Sequence, residues 1–386
     1  MNVVVVMDKF KESLSAKEAA AIISSGLKSG GREIDVCAIP LADGGDGTID
    51  ALERINGCEK VIVKTIDPLG REIKVPFLII GKRAICEMAQ STGLTLLTKE
   101  ERNPLYTSSY GLGLVIKAIA DMGIDEIVIG IGGSATNDCG AGMLQALGYR
   151  FLREEAGQDQ KREQNREKEW KWNRIIKGKD LIEITGIDDS FVEESVKRLK
   201  ITVASDVTNP LTGIYGATRV YGPQKGATEE IITELEGGVE NFGRVATEFL
   251  GKNFSVATGA GAAGGMGFAL AAFMGAELKQ GWRILFEMLN VEKEIKEADL
   301  VVTGEGRVDG QSLSGKLLDG VCTICAKYSK RLWVLCGDNL LTEKELERAG
   351  IERLFSISQV EPIKEEAIKN ARQYLYEIAG RAVITI

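Results

Sequence analysis

The feature that most constrains this chain is a rhythm shared by its two ends: a short apolar run, a glycine-rich or charged loop, then an amphipathic helical stretch. Val3 to Val6 read as a buried strand and DKFKES as a loop, and Ser15-x-x-Glu18 forms a capping box opening a helix through about Leu27. Asp35 to Ile39 give a second strand, followed by the loop ADGGDGT and a helix beginning near Ile49. The pattern returns with a strand at Leu300 to Val302, the loop GEGRVDGQSLSGK and a helix through about Tyr328. Further strands are expected at Leu332 to Leu335 and Leu354 to Ile357, with a closing helix from Glu361 to Ala379. Such alternation predicts the α/β class, with a parallel sheet and crossover helices. At 386 residues the chain exceeds what one core serves well, so two domains are expected. The ends, 1–74 plus 284–386, would share one sheet, and 75–283 would be an inserted second α/β domain.

Composition narrows the chemistry. There is no histidine, which excludes Ser-His-Asp and Cys-His triads, imidazole-bound zinc and a histidine general base. Proton transfer falls to Asp, Glu, Lys, Cys or Tyr, and any metal held by oxygen ligands points to Mg²⁺. The net charge of −8 speaks against a nucleic-acid partner, so an anionic small molecule must be met by a local cluster of cations. Glycine supplies 45 residues, about 12% against a usual share of about 7%, which suggests loops that wrap a ligand. Seven scattered cysteines suit reduced thiols in the cytoplasm, with Cys322-x-x-Cys325 read as helix packing. No run of about 18 apolar residues predicts a membrane span. Residues 153–180 are dense in mixed charge and read as a solvated excursion or a lightly packed helix.

Three glycine strings invite comparison with nucleotide signatures. Gly259 to Gly264 spell G-x-G-x-x-G, but KNFSVAT before them is a poor strand and no suitable acid follows. A close-packed helix start or a phosphate-cradling turn is expected there, involving Gly264 and Gly265. Gly310 to Lys316 match G-x-x-x-x-G-K, but Leu317 stands where a P-loop needs Ser or Thr, leaving Lys316 as an anion contact. GIGGSATNDCGAG (130–142) follows the strand Glu126 to Ile129 and precedes a helical run, which suits backbone N–H groups converging on an anion. Ser134, Thr136 and Asn137 offer neutral donors there, and Asp138 can reach a metal; a plain turn with an N-cap is the alternative.

Paired carboxylates follow two predicted strands: Asp43 with Asp46, and Glu305 with Asp309. Such pairs can hold Mg²⁺ through its waters, or can be turn and cap residues. Asp206, Asn209 and Lys225 lie in and after the loop that follows the strand Ile201 to Ala204. Asp8, Lys9, Lys11 and Ser13 surround the first loop, where two lysines beside a helix start form a local anion site or a solvated pair.

Nine strings in order, DKFKESLSA, ADGGDGT, EMAQSTGL, NPLYTSSYGLG, GIGGSATNDCGAG, SDVTNPL, GPQKGA, GAGAAGGMG and TGEGRVDGQSLSGK, resemble the bacterial glycerate kinase family. The resemblance covers nearly the whole chain. It implies ATP-dependent phosphorylation of D-glycerate, commonly at the 2-hydroxyl, on two α/β domains with a flavodoxin- or Rossmann-like sheet and the reactants in the cleft. Lys9, Asp46, Cys139 and Ser205 depart from the usual family residues, which read Ser, Glu, Gly and Cys. On this reading ATP and Mg²⁺ are the cofactors, and Asp206 deprotonates the attacking hydroxyl with Asp8 next in line. Lys11 and Lys9 bind the carboxylate or the transferred phosphoryl, while Asp43, Asp46, Glu305 and Asp309 form the metal framework. A homodimer is left open. The rivals are a nicotinamide-dependent hydroxy-acid dehydrogenase and a non-catalytic organic-acid sensor, the latter disfavoured because loop carboxylates repel an anion.

Overall fold

The computed structural model describes residues 1–10, 12–30, 33–41, 48–53, 57–153 and 174–384. In chain order its principal strands are β1 (Asn2–Met7), β2 (Asp35–Pro40), β3 (Cys58–Ile66), β4 (Glu72–Ile80), β5 (Arg83–Glu87) and β6 (Glu126–Gly130). They continue with β7 (Lys200–Ala204), β8 (Glu277–Lys279), β9 (Leu300–Gly304), β10 (Arg331–Cys336) and β11 (Arg353–Ser356). The chain divides into two compact units, Met1–Arg54 with Gln280–Ile386, and Ile55–Lys279.

In the first unit the two ends of the chain build one parallel sheet in the order β11-β10-β9-β1-β2. Numbered within the unit this is the flavodoxin-like order, with the direction of strand addition reversing between β1 and β9. Val3 to Met7 and all of β9 are buried, as strands covered on both faces must be. The helix Ala16–Ser29 starts at the expected capping box: the Glu18 N–H donates to Ser15 Oγ at 3.2 Å and the Ser15 N–H to the Glu18 carboxylate at 3.1 Å. Its face of Ala19, Ile22, Ile23 and Leu27 joins a core with Leu375, Ile378 and Val383. The expected closing helix is two helices, Lys364–Lys369 and Ala371–Ile384. They part at Asn370, whose backbone N–H donates to Glu366 O at 2.9 Å and whose side chain donates to the Glu366 carboxylate at 3.1 Å.

The second unit holds a mixed sheet in the order β8-β7-β6-β5-β4-β3, parallel from β5 to β8. β3 and β4 form an antiparallel hairpin from Cys58↔Ile80 to Ile66↔Glu72, turned by Asp67, which accepts from the Leu69 and Arg71 N–H groups at 2.9 Å each. Because β4 also pairs with β5, this hairpin belongs to the second unit. The division expected at 74/75 therefore falls at 54/55, and that at 283/284 falls at 279/280 because β8 pairs with β7.

Of the charged excursion, residues 154–173 lie outside the described residues. The cysteines are free, and Cys322 and Cys325 are buried in the helix Leu317–Lys327, where burial pushes both thiols up to about 12. Among the described residues no helix is long and apolar enough to cross a membrane.

Candidate active site

The parallel strands of the second unit end together: Glu87, Gly130 and Ala204 lie side by side at the C-terminal edge of β5, β6 and β7. This is the edge where open α/β sheets hold ligands. From Gly130 the chain runs through the glycine loop into the helix Ala141–Ala146. The loop is organised from inside by Asp138, which is 1% exposed. One carboxylate oxygen accepts from Ser109 N–H at 2.7 Å, Ser109 Oγ at 2.8 Å and Gly142 N–H at 3.3 Å; the other accepts from Gly140 N–H at 3.2 Å. Burial pushes this carboxyl above its ordinary value while the four donors pull it back.

Lys225, also 1% exposed, fixes the other side of the loop. Its ammonium donates to Ser134 Oγ at 2.9 Å and to Thr136 O at 2.7 Å. Burial lowers its pKa to about 7, against a raising contribution from Asp138. Asn137 donates to Thr218 Oγ1 at 3.0 Å, while its own Oδ1 and the Thr136 hydroxyl are buried without partners. The 259–267 string backs the loop. Ala263, Gly264 and Gly265 all have positive φ (53°, 70° and 87°), and Cys139 N–H donates to Gly264 O at 3.1 Å. A β-carbon at Gly264 would collide with Thr136 O, so only glycine allows this approach.

Beyond the loop, Asp206 is exposed two residues past β7. Asn209 braces the following turn, donating to Tyr215 O and accepting from the Tyr221 hydroxyl, both at 2.8 Å. Glu87 is 3% exposed and accepts from Gln90 Nε2 at 2.9 Å. Sequence reasoning passed over Glu87, although an acid directly after an apolar strand is the pattern that singled out Asp206.

In the first unit, Asp8 and Glu305 follow β1 and β9, the neighbouring strands at the reversal point, and Asp8 N–H donates to Gly304 O at 3.1 Å. Burial raises the Glu305 carboxyl, opposed by a Ser312 hydrogen bond and the Lys316 charge. Asp309 closes a turn, accepting from Gln311 N–H at 2.9 Å and Ser312 N–H at 3.3 Å. Ser13 closes another onto Phe10 O at 3.2 Å, Lys9 is partly buried, and Lys316 is exposed at the N-cap of Leu317–Lys327. Lys11, Asp43 and Asp46 lie outside the described residues.

The model of the glycerate kinase family matches residues 3–386. The chain belongs to the glycerate kinase family. A glycerate kinase of Bacillus subtilis is 39% identical over 98% of this chain and 96% of its own length. The glycerate 2-kinase of Escherichia coli is 40% identical over 96% of this chain and 94% of its own. A solved Salmonella typhimurium structure, described as a candidate glycerate kinase 2, superposes with a TM-score of 0.80 at 37% identity, covering 100% of this chain and 98% of that one. The protein is accordingly a kinase acting on an alcohol acceptor.

Within this member of the family several expectations change. Asp138 faces two donors of Ser109 and two of its own loop, which places it inside the framework. Gly264 and Gly265 press on residues 136–139 rather than on an open cradle. The Gly259–Gly264 string follows a loop, and the dinucleotide fingerprint needs a strand there, so the dehydrogenase reading loses its footing. Among the described residues no three acidic or sulfur side chains gather as a metal cage. A Mg²⁺ ion fits the site nonetheless, because it usually takes one or two carboxylates and completes its shell with water and phosphate oxygens. Asp8 and Glu305 offer such a pair of hard ligands.

Proposed function

We propose that this protein transfers the γ-phosphoryl group of ATP, with Mg²⁺, to the 2-hydroxyl of D-glycerate. The observation that carries the choice of hydroxyl is the 40% identity, over 96% of the chain, to a protein named glycerate 2-kinase. Phosphoryl transfer is mostly positioning and charge neutralisation, and this chain supplies both without histidine. Asp206, exposed at the strand edge, orients the attacking hydroxyl and accepts its proton. The loop 130–142, held by Asp138 and Lys225, presents its Gly132–Gly133 tip to the reactants, with Ser134 directly after it. Lys9 and Lys11 counter the charge of the transferred group. Asp8, Glu305 and Asp309 would hold the metal, with Asp43 and Asp46 assigned by resemblance alone. Bound Mg²⁺ supplies neutralisation of phosphate charge. Seven free cysteines support a reducing, cytoplasmic setting.

Phosphorus NMR of the products formed from D-glycerate, ATP and Mg²⁺ tests the reading. 2-Phosphoglycerate is expected, and exclusive 3-phosphoglycerate would overturn the regiochemistry. Full turnover in excess EDTA would remove the metal from the mechanism.

A further inference from the structure

Glycerate is an anion at neutral pH, and a protein of net charge −8 must meet its carboxylate with a fixed cation. Lys225 is poorly placed for this, since it is enclosed and its ammonium already donates to Ser134 Oγ and Thr136 O. Arg102 differs in every respect. It follows a tight turn in which Glu101 accepts from Thr98 N–H at 3.0 Å. The same Glu101 is drawn off by Arg71, whose guanidinium reaches it at 2.7 Å, and the acid that feels the Arg102 charge is the exposed Glu100, which makes no ion pair with it. The Arg102 Nε is buried without a partner, and its guanidinium makes one long contact, 3.5 Å from a terminal nitrogen to Leu94 O. A buried guanidinium nitrogen with no acceptor carries an uncompensated desolvation cost that an oxyanion would remove.

Its position ties that unmet fork to the glycine loop. Leu94 N–H donates to Gly133 O at 2.9 Å, and Gly93 bridges Ser134. On the opposite side Gly226, directly after Lys225, has φ of 89°, and a β-carbon there would collide with Arg102 O. Arg102 is thus pinned beside the Gly133–Ser134 tip by neighbours that leave its own hydrogen bonds open.

We propose that Arg102 is the carboxylate receptor of the substrate site and restricts the acceptor to hydroxy acids. The proposal rests on the glycerate kinase reading. A planar fork pairs with a carboxylate through two parallel hydrogen bonds, which a neutral polyol cannot match.

Steady-state kinetics of the full-length Arg102→Ala and Arg102→Lys variants test it. In both, KM for glycerate should rise, by about 10- to 150-fold for the alanine variant, the range expected for hydrogen bonds to a charged group. KM for ATP and Tm should hold, and the preference for glycerate over glycerol should narrow. Added guanidinium ion should lower KM of the alanine variant again. An unchanged KM for glycerate would overturn the proposal, as would a rise in KM for ATP instead, which would assign the fork to nucleotide phosphates. A fall in Tm with both KM values shifted and no guanidinium rescue would make Arg102 structural. A wild type inert toward glycerate would instead sink the functional reading on which the proposal stands.

Discussion

The two units place charge at their strand ends in opposite ways. In the second, the charges that shape the loop are sealed: Asp138 and Lys225 are each 1% exposed and surrounded by hydrogen-bond partners. In the first, Asp8, Glu305 and Asp309 are only partly buried, at the reversal point of a parallel sheet. Sealed charges fix geometry, because they cannot relax into water without breaking the core around them. Partly open carboxylates can exchange ligands, which suits ions and phosphates that arrive and leave with each turnover. The difference assigns preorganisation to one unit and exchange to the other, and each half of that assignment can be broken separately.

The largest expected effect comes from Asp206, which is exposed amid an otherwise rigid edge. Asp206→Asn should lower kcat by about 10²–10⁴-fold, roughly 3–5 kcal/mol of barrier, with ATP binding and Tm held. Wild-type turnover with a Tm several degrees lower would make it a turn residue, and the base would pass to Asp8.

Lys225 sharpens the meaning of a sealed charge. Its folded pKa, about 7, lies below the ordinary 10.5, so between these values the unfolded chain binds the extra proton. Stability from this group is therefore full above about 10.5, is lost as pH falls toward 7, and changes by about 1.4 kcal/mol per pH unit within that window. Thermal melts from pH 7 to 10 should show wild-type Tm rising relative to Lys225→Met. Parallel curves would mean that the ammonium stays charged in the fold.

Gly264→Ala tests whether the two glycine strings are one packed object. It forces a β-carbon into Thr136 O at φ of 70°, and about 2–3 kcal/mol of stability should be lost. Gly350→Ala, with φ of 70° and open space around it, should cost about 1 kcal/mol in the same denaturant titration. Equal losses would deny the packing its role.

A modest effect on activity alone is expected in the first unit. Glu305→Gln should raise the Mg²⁺ concentration for half-maximal activity about tenfold, near 1.4 kcal/mol, and leave Tm unchanged at pH 7. An unaltered Mg²⁺ dependence would detach Glu305 from the metal.

Local signals were the most legible. The capping box at Ser15 and Glu18, the strand–loop–helix rhythm of both ends and the strand before the 130–142 loop all follow from residues within one or two turns of each other. The 74/75 division cut the β3–β4 hairpin and left β3 with the first unit, because pairing partners are chosen by tertiary contact and residues 58–66 carry no mark of which sheet they join. Asp138 looked like a metal ligand because its acidity is visible in the sequence and its four donors are not. Arg102 was missed for the converse reason: a single arginine in a charged stretch becomes informative only once Glu101 is seen turned toward Arg71.

The interrupted first unit also bears on how the protein is made. β1 sits between β2 and β9, and Val3 waits for Leu300 before its sheet can close on that side. At about 5–20 residues per second of synthesis, the wait lasts on the order of 15–60 seconds. The second unit, unbroken from Ile55 to Lys279, is complete about 20 residues, or roughly 1–4 seconds, before then. The ribosome thus releases a finished domain tethered to an apolar strand with one edge unmatched, and the nascent chain needs shelter there until β9 emerges.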